Sequence, residues 1–142
     1  MTRLLGRNPT LTALIALGVA NHVCLTGNRV TVSLEALRLG ASTAVVGILL
    51  ALYAFLPMVC AVAAGRLSDR IGVRRPMLVG SVALAVGSAV PALVGGFVAL
   101  FVSAALVGVS FMLFQVPAQN ATGELGVASD RAHNFSLLAL GY

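Results

Sequence analysis

Apolar residues run almost unbroken through four stretches of this chain, at about residues 11–34, 43–64, 77–94 and 97–116. Each is close to the roughly 20 residues that a helix needs to cross a bilayer's hydrocarbon core. The runs are continuous and do not alternate with a period of two, which favours helices over the strands of a membrane barrel. The pattern predicts an all-α membrane protein, a multi-helix transmembrane bundle with about four spanning helices. The first run is the least pure, because Asn21, His22, Thr26, Asn28 and Arg29 fall inside it. A further apolar stretch, 135–142, reads as the start of a fifth span.

The connections sharpen the layout. Residues 35–42 are short and mildly polar, and Gly95-Gly96, with Pro91 just upstream, predict a tight turn between antiparallel helices. Residues 65–76 carry Arg66, Asp69, Arg70, Arg74 and Arg75, and 124–134 are charged again. With four spans, Arg3, Arg7, Arg66, Arg70, Arg74, Arg75 and Arg131 share one side, against Arg29 and Arg38 on the other. The positive-inside rule then puts the N-terminus in the cytoplasm. Arg3 and Arg7 before an apolar run also resemble a signal peptide, but no small-residue cleavage site follows, so a retained first span is expected.

Composition agrees. The chain is 59% hydrophobic and 9% charged, with mean hydropathy +1.02. A water-facing domain carries about a quarter charged residues. The net charge of +5 comes from arginine alone, placed between apolar runs, which suits anionic lipid headgroups and excludes nucleic acid as the partner. Cys24 and Cys60 lie within apolar runs and read as small buried hydrophobes without a disulfide. With no tryptophan, Tyr53, Tyr142 and the arginines are left to mark the membrane boundaries. Ala61 and Gly65, Gly80 and Gly87, and Ala104 and Gly108 have spacings that let helices approach closely in lipid. Pro57 and Pro117 are expected kink sites. No metal-ligand cluster, nucleophile with base or phosphate-binding glycine loop is present in the sequence, so no cofactor and no enzyme activity are expected.

The stretch from Gly65 to Leu78 reads Gly-Arg-Leu-Ser-Asp-Arg-Ile-Gly-Val-Arg-Arg-Pro-Met-Leu. It resembles the signature loop between helices two and three of the major facilitator superfamily. Gly65, Leu67, Ser68, Asp69, Arg70, Gly72, Arg74 and Leu78 fit; Val73 replaces the first basic position, with Arg75 restoring charge one residue after Arg74. On physical grounds, Gly65 suits a close approach or sharp turn at a helix end, Asp69 can accept from a helix N-terminus, and Arg70 and Arg74 can grip carboxylates or helix C-terminal carbonyls. The resemblance implies a cytoplasmic latch that breaks when the inward gate opens. A basic loop that only sets topology is the alternative. Ser129 to Ser136 is similar to the family's link into helix five, whereas residues 103–111 lack the basic residue that many proton-linked members carry in helix four.

The resemblance also implies that the polar side of span one lines a central pathway. Positions 22, 26 and 29 form one stripe and 21, 25 and 28 the next, making Asn21, His22, Asn28 and Arg29 pathway candidates, with Gln115 and Gln119 at the cytoplasmic mouth. An arginine in mid-span costs about 2.5–3.5 kcal/mol, so Arg29 either faces a wet cavity or snorkels to the headgroups. His22 is either a titrating group for proton coupling or a hydrogen-bonded structural residue. The expected protein is a secondary transporter of a small solute or drug, in a bacterial-type cytoplasmic membrane, present as an N-terminal piece whose partner is the rest of the transporter. The alternatives are a small four-helix dimeric exporter, disfavoured by the lack of a carboxylate in span one before Glu35, and a non-transporting scaffold subunit.

Overall fold

A computed structural model describes residues 9–124 together with Ser136 and Ala139. The other residues of the expected fifth span, with Arg3, Arg7 and Arg131, lie outside the described residues. Four helices follow in order: α1 Pro9–Arg38, α2 Thr43–Ile71, α3 Arg74–Val94 and α4 Gly96–Glu124. All four are long and apolar enough to cross a membrane. The 30 residues of α1 span about 45 Å at 1.5 Å per residue, so the helix overhangs a hydrocarbon core of about 30 Å.

The helices run past the apolar windows, and one expectation changes. Residues 65–78, expected as a loop, are mostly helix: α2 continues to Ile71 and α3 starts at Arg74, leaving only Gly72 and Val73 between them. Apolarity marks where a helix meets lipid, but a helix ends only where its backbone bonding ends. Arg66, Leu67, Asp69 and Arg70 are all compatible with helix. Gly72 stops it, with φ +81° and its N–H donating to the Ser68 carbonyl at 2.9 Å. Gly65 neither ends α2 nor turns. It lies inside the helix, and a Cβ there would sit 3.9 Å from Val116, an ordinary contact.

At the other end of the bundle, Gly95 alone separates α3 from α4, and Gly95 and Gly96 have φ +69° and +77°. Positive φ at two successive positions explains the glycine pair. The α1–α2 connection is 39–42, closed by Ser42, whose side chain accepts from the Val45 N–H. Pro57 and Pro117 both lie inside unbroken helix and are buried.

α4 is the centre of the packing and contacts all three other helices. Its neighbours approach through glycine. A Cβ on Gly80 of α3 would lie 2.7 Å from the Ser110 carbonyl oxygen, and one on Gly87 3.0 Å from Leu106 Cβ. From α2, Pro57 and Tyr53 pack on Gly108 at 3.3–3.4 Å from its would-be Cβ. The core holds Leu49, Tyr53, Leu84, Leu100, Ala104 and Val107, with a second cluster of Leu14, Met77, Phe114 and Ala118. Large apolar side chains cover the outside, such as Val23 and Val30 on α1, Met58 and Val62 on α2, and Val82 and Val86 on α3. In lipid such a surface is stable without burial.

Candidate functional site

The polar residues of α1 divide into two sets. One stripe of α1, Leu11, Leu14, Gly18, Asn21, Leu25, Asn28, Val32 and Ala36, is buried against the other helices. Asn21 and Asn28 therefore point into the bundle, while Thr26 and Arg29 are exposed and His22 is half-buried. The two neighbouring polar stripes of the sequence thus have different environments.

Asn28 joins three helices. Its Nδ2 donates to Ser103 Oγ of α4 at 3.2 Å, and its Oδ1 accepts from the Tyr53 hydroxyl of α2. All three residues are buried. Lower in the bundle, Asn21 Nδ2 donates to its own helix at the Leu17 carbonyl, 2.8 Å, and to Ser81 Oγ of α3, 3.2 Å. Cys24 Sγ lies 3.3 Å from Ser88 Oγ, a second polar link from α1 to α3. His22 meets Phe111 of α4 edge to face, with centroids 5.8 Å apart. α1 is the least apolar span, with hydropathy 1.5 against 2.1–2.5 for the others. In lipid its attachment depends on such bonds, because burial of apolar surface drives little association there.

Arg29 occupies the exposed side of the same layer. Its guanidinium lies 5.9 Å from the centroid of the Tyr53 ring, within cation–π range. Beside it opens a cleft of about 350 Å³ between α1 and α2, lined by Thr26, Arg29, Val30, Ser33, Leu34 and Leu50. The one ion pair among the described residues is at the C-terminal end of α1, where Arg38 holds Glu35 at 2.7 and 2.8 Å. That exposed pair contributes little stability.

At the opposite end Gln115 is half-buried, its Oε1 enclosed with no hydrogen-bond partner among the described residues, and Gln119 is exposed. Asp69, Arg70, Gly72, Arg74 and Arg75 are all exposed around the α2–α3 junction, together with Arg66. The structure thus brings Asn28 and Arg29 together through Tyr53, and gathers the charged residues of the 65–78 stretch at one end of α2 and α3. Tyr53 corrects a sequence expectation. It is no boundary marker but a buried residue, 6% exposed, with its hydroxyl engaged in the interior. Ser81, Ser88 and Ser103 escaped notice as single hydroxyls; the available signal was that each span carries a polar group that must find a partner in lipid.

A sequence model of the Major Facilitator Superfamily matches residues 7–142. Comparison with curated proteins and with solved structures gives no match. The match spans nearly the whole chain and the helices it covers are membrane-spanning in length and apolarity. This chain is an integral membrane protein that belongs to the major facilitator superfamily.

Proposed function

We propose that the chain supplies the first four helices of a secondary transporter that moves a small solute by alternating access, with its N-terminus in the cytoplasm. In such proteins two bundles rock about a midplane site. The observation that carries the reading is the state of the charges at the α2–α3 junction. Asp69, Arg66, Arg70, Arg74 and Arg75 are exposed and none has an ion pair among the described residues. They sit at the ends of two helices separated by two residues, so their backbones are ordered side by side while their side chains' bonding capacity is unused within these four helices. A partner surface from the opposite half of a transporter would complete them. The physical role is that of a latch: charged hydrogen bonds made in one state and broken in the other bias the equilibrium between the two.

Asp69→Asn in the full-length protein keeps the shape of the side chain and removes its charge. Transport should fall roughly three- to tenfold, the effect of weakening the latch in one of two states by about 1 kcal/mol, since asparagine can still accept a neutral hydrogen bond. The amount of protein in the membrane should not change, since Asp69 is exposed and packs against nothing in the bundle core. Uptake at the parental rate would remove the latch role from this residue.

A further inference from the structure

Arg29 is a formal charge inside a mostly apolar run. It lies nine residues before the C-terminal end of α1, about 14 Å along the helix, and within the apolar run 11–34. It forms no ion pair among the described residues, and Glu35, the acid on the same helix, is taken by Arg38. Its guanidinium nonetheless has a contact in the bundle. Ser103 bonds to Asn28, Asn28 to the Tyr53 hydroxyl, and the Tyr53 ring carries the guanidinium on its face. Three helices thus anchor the residue that holds the cation. The cleft beside it offers the Thr26 hydroxyl, while Ser33 donates to the Arg29 carbonyl at 2.8 Å. Val30, Leu34 and Leu50 complete the lining with apolar surface.

We propose that this α1–α2 cleft is an oxyanion site, in which Arg29 receives the carboxylate or phosphate of a small anionic molecule and Val30, Leu34 and Leu50 take its apolar body. The proposal names a substrate class and rests on the reading of the chain as part of a solute pathway. The forked guanidinium matches two oxygens of a carboxylate or phosphate. The cleft, about 350 Å³ and open on one side, has room for a compact acid. A phospholipid headgroup offers the same oxyanion, so the test has an arm for each source.

The full-length protein in neutral detergent is titrated with benzoate and, at matched ionic strength, with its uncharged isostere benzamide, and thermal unfolding is followed. Benzoate should raise the midpoint and benzamide should not. Arg29→Gln should weaken benzoate binding about tenfold or more, with Arg29→Lys between the two, because lysine keeps the charge and loses the fork. Thr26→Val, which leaves the charge untouched, should weaken binding by a few-fold and guards against a folding defect in the arginine variants. In a parallel arm, phosphatidylglycerol is compared with phosphatidylcholine in mixed micelles. An Arg29-dependent shift with phosphatidylglycerol but none with benzoate assigns the oxyanion to lipid. No Arg29-dependent response to either anion overturns the site. Binding is read at equilibrium without transport, so a failure here is distinct from a failure of the Asp69→Asn uptake result.

Discussion

Gly80→Leu should abolish the folded bundle, and Gly80→Ala alone should cost about 3 kcal/mol or more, at the top of the range for overpacking. A Cβ at this position would meet the Ser110 carbonyl oxygen at 2.7 Å, the Phe114 nitrogen at 2.8 Å and the Leu113 carbonyl carbon at 3.1 Å. All three are backbone atoms of α4. A flexible side chain could turn aside, but here relief requires α3 and α4 to separate. These helices share the largest interface in the structure, and α4 also carries the packing of α1 and α2. The disturbance would therefore spread through the whole unit. Thermal unfolding of the purified variants, or the fraction recovered as a monodisperse species, measures the effect. Gly65→Ala is the internal comparison. Its Cβ would lie 3.9 Å from Val116 Cγ1, and alanine is the better helix former, so this variant should unfold within about 1 kcal/mol of the parent. Equal tolerance of alanine at both positions would contradict the close α3–α4 approach.

The same comparison marks how far sequence reading reaches. Gly65 and Gly80 both appear in small-residue pairs of plausible packing spacing, Ala61/Gly65 and Gly80/Gly87, and spacing cannot rank them. What separates them is which helix lies opposite, a tertiary fact. The four spans were readable because lipid imposes a length and a composition on each one, and the Gly95-Gly96 turn because two positive φ values leave little choice but glycine. The ends of α2 and α3 were not. Arg66, Asp69, Arg70 and Arg74 look like loop residues to hydropathy, whereas they are residues of two helices projecting beyond the apolar layer. For the site, the periodicity of α1 placed 22, 26 and 29 beside 21, 25 and 28, but both stripes are polar and hydrophobicity could not orient them. Hydroxyls on the other helices decide it. Ser81 and Ser103 receive Asn21 and Asn28, while none of the four described helices covers Arg29. Tyr53 was misplaced for a related reason. Aromatic side chains with a polar tip favour interfaces, but a tip that finds an asparagine inside the bundle loses that preference.

Asn28→Ala should be the most damaging of the polar substitutions, and more damaging than Asn21→Ala. Removing the Asn28 amide leaves two buried groups without their partner, the Tyr53 hydroxyl of α2 and the Ser103 hydroxyl of α4. An unsatisfied buried hydroxyl costs about 1–3 kcal/mol in a dry interior, though net interhelical hydrogen bonds measured in membranes average nearer 0.6. Two orphaned groups and a lost side-chain volume together put the expected cost at roughly 2–3 kcal/mol. Asn21 differs, since one of its two bonds is to the Leu17 carbonyl of its own helix and its Oδ1 has no hydrogen-bond partner among the described residues. Its loss unpairs only Ser81 across the interface, so about 1 kcal/mol is expected. A double-mutant cycle separates the bond from the cavity. Tyr53→Phe keeps the ring under Arg29 and removes only the hydroxyl, so its cost should shrink or vanish in the Asn28→Ala background. Unfolding in a denaturing-detergent titration gives all four corners, with a coupling of about 0.6–1.7 kcal/mol expected between the two residues. Strict additivity would mean that the Tyr53–Asn28 bond does not tie α1 to α2, and would leave Arg29 without the fixed ring on which its position depends.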